Sequence, residues 1–234
     1  MSQFDFLRSE WAEVFEDAHK AENAVHGDPR TACFYSRRTL ELIVKWLYQN
    51  DTSLRRPYDD NLAALLHEPT FRATAGEAIF TKARIIQRLG NESVHSNRRI
   101  RPEEAQSAVQ ELFHIGFWLA RTYARQQRPA DSLSFQPDQL PRNLQQPQTL
   151  EQVRKLLDVL KTQDQQLKEK EERLASMPAM EAELQRLRAE IAEAKKANAK
   201  IPDHHDYKES ETRRLYIDLL LHEAGWPLDQ ARDR

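Results

Sequence analysis

The chain has 234 residues, with 35 basic and 37 acidic side chains and a net charge of −2, so its overall charge offers no bulk attraction to nucleic acid. Five glycines are too few for a β-sandwich or barrel, and the single cysteine, Cys33, excludes an internal disulfide framework and a cysteine-based zinc cluster. No stretch approaches ~18 consecutive apolar residues and the first residues do not resemble a signal peptide, so we expect a cytoplasmic protein without membrane contact.

Residues 1–128 hold most of the aromatic residues and predict a helical bundle. A first amphipathic helix has one apolar face with three- and four-residue spacing, formed by Phe4, Leu7, Trp11, Val14, Phe15 and Ala18. Turn and capping residues then bound three further long helices and a short one. Their predicted ranges are Pro29–Gln49, Asn61–His67, Ala78–Leu89 ended by Gly90, and Pro102 to about Arg125.

The second half of the chain has a different composition. Residues 129–148 are rich in Pro and Gln, which predicts an extended linker. Residues 149–200 lack Gly and aromatic residues and carry leucines at heptad spacing, which predicts a long coiled coil. Because Pro178 separates two registers of this pattern, we expect a break or helical hairpin there. An isolated charged helix that only separates two domains is the alternative.

Residues 201–234 predict a linker and one apolar helix that ends near Gly225-Trp226. This helix has nothing after it to pack against, so we expect it to be the first helix of a truncated domain.

The densest polar cluster lies around Arg88 and His95, which are separated by six residues. An arginine can hold a phosphate by paired hydrogen bonds and a histidine can move a proton, so this pair is a candidate for RNA cleavage. The alternative is structural, with Asn91 and His95 capping helix ends around Gly90.

A second group of basic residues consists of Arg98, Arg99 and Arg101, with Arg55 and Arg56 as further candidates for the same surface. These arginines are candidates for contact with DNA phosphates, and the alternative is an ordinary solvated surface. No phosphate-loop, dinucleotide, HExxH or CxxC motif is present, so we expect no metal and no cofactor in this segment.

Several runs of residues together resemble the N-terminal region of type I restriction endonuclease R subunits. They are Ser36–Tyr48, Arg88–His95, Pro102–Ala105, Leu112-Phe113, Phe117–Leu119 and Glu211–Trp226. The best-matched of these runs is Arg88–His95, whose signature residues include Gly90, Asn91 and His95. In that family a helical domain of HEPN-like fold precedes a coiled coil and a nuclease domain. The resemblance covers nearly the whole chain in the same order.

The resemblance implies an all-α N-terminal fragment of an ATP-dependent DNA translocase and endonuclease. The fragment would help to dock the R subunit on the modification and specificity subunits and on DNA, and would not be an enzyme by itself. The family's nuclease residues and its motor, which use Mg²⁺ and ATP, follow the segment seen here. Glu211 is the one residue that could correspond to a carboxylate on the helix before the nuclease sheet.

Two alternatives remain open at this point. HEPN-fold RNases and toxin-like modules use an arginine and a histidine with four to six residues between them, and Arg88 and His95 match this spacing at its upper limit. Such enzymes act as dimers. The other alternative is a non-catalytic module that forms a homodimer through the coiled coil, for which Leu157, Leu160 and Leu167 would supply contacts.

Overall fold

The computed structural model describes residues 2–126, 128–142, 148–175 and 178–199, and this part of the chain is helical, with no strand. This confirms the predicted all-α fold with a helical bundle. The helices are α1 (Ala12–Ala24), α2 (Pro29–Asn50), α3 (Leu62–His67), α4 (Pro69–His95), α5 (Pro102–Tyr123), α6 (Leu150–Ala175) and α7 (Pro178–Asn198), with short 3-10 turns at Asp5–Leu7 and Pro137–Gln139. Within the described ranges, no helix has the length and apolar character needed to cross a membrane.

Local capping fixes two of the helix starts that the sequence predicted. The carboxylate of Asp28 accepts a hydrogen bond from the Thr31 amide at 3.2 Å, directly before Pro29 opens α2. At the start of α5, the carboxylate of Glu104 accepts a hydrogen bond from the Arg101 amide at 2.9 Å.

Helix α2 lies at the centre of the bundle and packs against α1, α4 and α5. Its buried face meets a core of large apolar side chains, and the aromatic residues of the N-terminal turn pack on α5, with ring centroids of Phe6 and Phe113 5.6 Å apart. Because the core draws on six of the helices, α1 to α5 and α7, it holds the bundle as one unit.

Helix α4 agrees with its prediction near Ala78, because a kink at Gly76 separates a first helical part that starts at Pro69 from the longer part that follows. The longer part continues through Gly90 to His95, so the predicted end at Gly90 was wrong. Gly76 has a positive φ of 82° and bends the helix between its first turns and the rest. Gly90 is needed for close packing with α2, described below, and does not end the helix.

The Pro- and Gln-rich segment packs on the bundle where the structure describes it. The ring of Phe135 lies 5.7 Å from that of Phe113, and Leu140 is buried. Gln3 binds the backbone of Gln136 twice, donating from Nε2 to the carbonyl at 3.2 Å and accepting from the amide at 2.7 Å. These contacts tie residues 133–140 to the N-terminus.

Helix α6 lies along the bundle, so it is not an isolated helix. Val153 is fully buried against Phe34 of α2 and Val94 of α4. Farther along, the guanidinium of Arg38 donates two hydrogen bonds of 3.0 Å to the Asp164 carboxylate. The first part of the predicted leucine seam is therefore used inside the chain.

Helix α7 starts at Pro178, where the sequence predicted a break, and it also returns to the bundle. Ile191 is buried in the core, and the ammonium group of Lys195 pairs with Asp51 just after α2. Asn198 donates a 3.3 Å hydrogen bond to the Thr122 carbonyl. Both charged helices are thus anchored on the same bundle.

Candidate functional site

Arg88 and His95 lie on one side of α4. His95 stands seven positions after Arg88, which places them about two turns apart, with a rise of ~10.5 Å along the helix axis. Arg88 is half-buried, while His95, the last residue of the helix, is exposed, as is Asn91 between them. The structure therefore puts the predicted pair on a common face but separates the two residues along that face.

Arg88 is an incompletely paired cation. Its Nε atom is buried and has no hydrogen-bond partner in the described part of the chain. Buried side-chain donors are normally paired, so an orphaned one points either to packing strain or to a missing ligand. Because this Nε atom is buried, only the terminal nitrogens of Arg88 could reach a phosphate or carboxylate from solvent.

Gly90 serves close helix packing. A Cβ atom built at position 90 would stand 2.3 Å from Cβ of Arg37, 2.6 Å from its Cδ and 2.9 Å from its Cγ. The α4 backbone therefore meets the side chain of Arg37 directly, and no larger residue fits. This gives the glycine of the signature a structural role.

The C-terminal end of α4 is capped by Arg30, a residue that the sequence analysis missed. Its guanidinium donates to the carbonyls of Ser93 at 2.6 Å, Ser96 at 3.0 Å and Arg98 at 2.8 Å. The predicted structural role of Asn91 and His95 as caps thus falls to an arginine more than sixty positions earlier. No local sequence pattern would have identified it.

Arg98 is held by two carboxylates. Its Nε donates to Glu92 at 3.0 Å and its Nη1 to Glu104 at 3.0 Å. The hydrogen bond that Arg98 donates to Glu92, and then the one to Glu104, raise the pKa of Arg98, against an opposing effect of burial. Arg101 also lies 3.7 Å from Glu104, and Arg99 is exposed. The positive charge of Arg98 is therefore already offset within the protein.

The structure does not bring Arg55 and Arg56 to the Arg98 region. Both are exposed in the loop that follows α2, and Arg56 pairs with Asp60 at 3.2 Å. Arg98, in contrast, is bonded through its carbonyl to Arg30 in the first turn of α2. Since α2 has 22 residues, its two ends are about 33 Å apart. The predicted arginines thus form two separate groups.

A hollow beside α3 was not predicted either. It has a volume of about 420 Å³ and is lined by Leu66, His67, Pro69, Arg72, Ala73 and Phe80. Nη1 of Arg84 and Nε2 of His67 form a hydrogen bond at its edge, and burial together with the charge of Arg84 lowers the pKa of His67. The volume suits a small organic group. The residues that line this hollow form no recognisable sequence motif, so the sequence alone could not predict it.

A charged cluster lies inside the bundle. Lys82 of α4 and Glu111 of α5 are almost fully buried, with their Nζ and Oε2 atoms 3.3 Å apart. His114 lies 3.3 Å from each of them through its Nδ1 atom. Because this charged cluster lies deep in the core, we infer that it specifies how α4 packs against α5.

The described residues contain no group of three or more His, Cys, Asp or Glu side chains placed to hold a metal ion. Glu211, the predicted nuclease-helix residue, lies outside the described ranges, as do the rest of residues 201–234.

The sequence profile of a family described as a domain of unknown function, DUF4145, matches residues 19–177, which is more than half of the chain. This range contains α2 to α6, and with them Arg88, His95 and the hollow. No curated protein and no solved structure matches the chain.

Proposed function

We propose that this chain, which belongs to the DUF4145 family, is the N-terminal docking region of a type I restriction R subunit. It binds the modification and specificity subunits and brings the R subunit close to DNA. ATP-dependent translocation and cleavage, with their ATP and Mg²⁺, belong to the motor and nuclease domains that the resemblance places after this segment. The order of the helical domain, the charged helices and the Glu211–Trp226 run supports the proposal.

The observation that carries the proposal is the outward face of α6 and α7. The inward face of α6 is fixed to the bundle through Val153 and Asp164, as described above. Val159, Leu167 and Leu184 nevertheless keep 54%, 47% and 37% of their surface exposed. A firmly anchored helix with exposed apolar residues is the kind of surface on which a partner helix or groove packs.

A groove on α6 lies within this face. It has a volume of about 360 Å³ and is lined by Gln148, Gln152, Lys155, Leu156 and Val159. Its apolar centre and polar edge match the composition of a protein–protein contact, in which aliphatic anchors are surrounded by polar groups.

The test is co-purification of the full chain with the modification and specificity subunits of a type I restriction system. We expect a stable complex, which Val159→Glu combined with Leu167→Glu abolishes. Tyr58→Glu is the matched control, because Tyr58 is fully exposed in the loop before α3. Failure of the wild-type chain to associate with either subunit would exclude the docking function.

A second candidate, an RNase that uses Arg88 and His95, is favoured by one observation. Both residues lie on the same side of α4, and the Nε atom of Arg88 is buried without a partner among the described residues. In this reading Arg88 holds the phosphate and His95 transfers the proton. The test is cleavage of labelled RNA by the purified chain, with Arg88→Ala and His95→Ala each removing the activity. Wild-type protein that leaves the RNA intact would exclude this candidate.

A further inference from the structure

Helix α6 rests on the bundle through a small apolar cluster of its own. Val153 is buried together with Phe34 of α2 and Val94 of α4, and these three side chains form a cluster distinct from the main core. Leu157 and Leu160, which follow on the same face of α6, are partly buried against this cluster. Within the described ranges, the main core therefore contains no side chain of α6.

Polar contacts hold the rest of α6 on this seat, which consists of the surfaces of α2, α4 and the loop after α2 that α6 covers. The contacts begin at Asp28, which caps the start of α2, and end at Asp60, which follows the end of α2. They join the Gln148 amide to Asp28 at 2.8 Å, Arg154 to the Val94 carbonyl at 2.8 Å, Arg38 to Asp164 at 3.0 Å and Lys168 to Asp60 at 2.7 Å. The seat thus matches α6 in both shape and charge.

Helices α6 and α7 form one arm, because α7 begins at Pro178, three positions after α6 ends at Ala175. Among the described residues of the two helices, only Val153 and Ile191 are both apolar and buried. The bundle of α1 to α5, in contrast, is held by a continuous core of large apolar side chains. Since an element with few buried apolar contacts opens at a lower free energy than the core beside it, the arm can leave the bundle while α1 to α5 stay folded.

The inward position of the leucines bears on how two copies can associate. Leu157 and Leu160 face the bundle, so pairing them with the leucines of another α6 would uncover the apolar cluster beneath them. An exchange in which α6 of one copy lies on the bundle of the other keeps every contact of the seat. Gln148 stands eight positions after Leu140, which is buried on the bundle, and such a stretch spans up to about 27 Å. A second bundle placed alongside is therefore within reach of the arm.

We propose that the α6–α7 arm exchanges between copies of this chain, so that two copies form a dimer in which each arm lies on the bundle of the other. The partner is a second copy because α6 itself carries the apolar and charged groups that match the seat. The exchange does not use the outward residues Val159 and Leu167, and it does not involve Arg88 or His95. It is therefore independent of the proposed docking surface and of the RNase candidate.

Charge reversal within the pair of Arg38 and Asp164 tests the exchange directly. In Arg38→Asp the seat repels its own arm, because the new carboxylate faces Asp164 beside Asp17. In Asp164→Arg the arm repels its own seat, because the new guanidinium faces Arg38 and Lys45. When the two variants are mixed, each arm finds a complementary charge only on the bundle of the other variant. The chain that carries both reversals restores the pair within one copy and is the matched control.

The experiment uses full chains that carry one of two affinity tags. Equal amounts are mixed in mild urea and returned to buffer, and dimers with both tags are then isolated and weighed by light scattering. We expect the two complementary variants to give at least roughly tenfold more mixed dimer than either variant gives with a differently tagged copy of itself, because like charges oppose each other in the latter. The doubly reversed chain should match wild type within about twofold.

Wild-type copies with different tags provide a measurement that needs no variant, and they should also form mixed dimers. Val159→Glu combined with Leu167→Glu, which tests the docking surface, should leave the exchange within about twofold of wild type. Either of two outcomes would overturn the proposal. One is the absence of mixed dimers from both wild type and the complementary variants. The other is equal dimer formation with matched and mismatched charges, which would place the contact between copies outside the seat of α6.

Discussion

The side chain of Arg37 lies across Gly90, where an added Cβ atom would be 2.3 Å from Cβ of Arg37. Helices α2 and α4 therefore touch through a side chain on one and bare backbone on the other. Glycine inside a helix costs about 1 kcal/mol relative to alanine, and this contact explains why the position keeps it. Gly90, two positions after Arg88, is therefore needed for helix packing, and this need does not depend on any catalytic role of Arg88 and His95.

Replacing Gly90 with alanine should destabilise the fold by about 1–3 kcal/mol, because the added methyl group overpacks the α2–α4 contact by more than it gains in helix propensity. Chemical denaturation measures this. Gly116→Ala is the control, since its Cβ would stand 3.2 Å from the flexible end of Leu7. Arg37→Gly removes the Cβ atom at 2.3 Å together with Cγ and Cδ, so a double-mutant cycle of Arg37→Gly with Gly90→Ala should show favourable coupling, and strictly additive losses would contradict the explanation.

The pairing of Arg38 with Asp164 should hold α6 on the bundle. Arg38 also donates from Nε to Asp17 at 2.9 Å, so a residue of α1 orients its guanidinium independently of α6. We expect a double-mutant cycle with Arg38→Gln and Asp164→Asn to give a coupling of about 1 kcal/mol, as for a well-oriented, partly exposed pair.

Hydrogen exchange provides the second readout for α6. Asp164→Asn should speed exchange in α6 while that in α5 stays unchanged. The control is Glu183→Gln, which breaks an exposed pair with Arg186 within α7. Equal protection of α6 in wild type and Asp164→Asn would show that apolar contacts at Val153 suffice.

The buried pair of Lys82 and Glu111 should tolerate joint replacement better than single replacement. Lys82→Met leaves a carboxylate buried without its ammonium partner, which should cost about 3–5 kcal/mol. Lys82→Met with Glu111→Leu removes both charges and should be clearly more stable than the single variant. Thermal or urea unfolding decides this, and an equally unstable double variant would refute a charge-based origin of the loss.

Asp51 should make the stability depend on pH at the acidic end. Burial alone would raise the pKa of Asp51, but hydrogen bonds from Lys195, Ser53 and Tyr123 outweigh it and lower the pKa. A carboxylate with a lowered folded-state pKa stabilises the fold above its unfolded value of about 3.9, and this contribution is lost as the pH falls through the folded value.

The corresponding experiment compares Asp51→Asn with wild type in urea at several pH values. The variant should be less stable by about 1–3 kcal/mol at pH 7, and the difference should shrink below pH ~3.9. Asp131→Asn, at an exposed position, serves as the control. A difference that does not change with pH would indicate that the carboxylate charge is irrelevant.

Cys33 should be chemically inert in the folded protein. Burial, followed by the charges of Glu104 and Glu92, raises the pKa of the Cys33 thiol to about 12. Only about one thiol in 10,000 is then ionised at pH 8, and the thiolate is the reactive form. A thiol reagent at pH 8 should therefore label one group in denaturant and essentially none in native protein, and rapid native labelling would contradict the buried position.

The all-helical fold follows from the sequence by itself, because its signals are local. Asp28 and Pro29 predict the start of α2, and Arg101 with Pro102 that of α5, since caps and the first turn involve residues within four positions of each other. Apolar residues at helical spacing then define the buried faces without reference to any partner.

Only the tertiary structure decided where α4 ends, which arginines pair with carboxylates, and where the hollow lies. Arg30 caps α4 from 63 to 68 positions away, and Arg38 reaches Asp164 across 126 positions. A helix places a side chain on a face, but the partner of that face depends on how the helices pack together. Local spacing therefore identified Arg88 and His95. The ion pairs of Arg98, and the contacts of His67 with Phe80 and Arg84, could be seen only in the folded bundle.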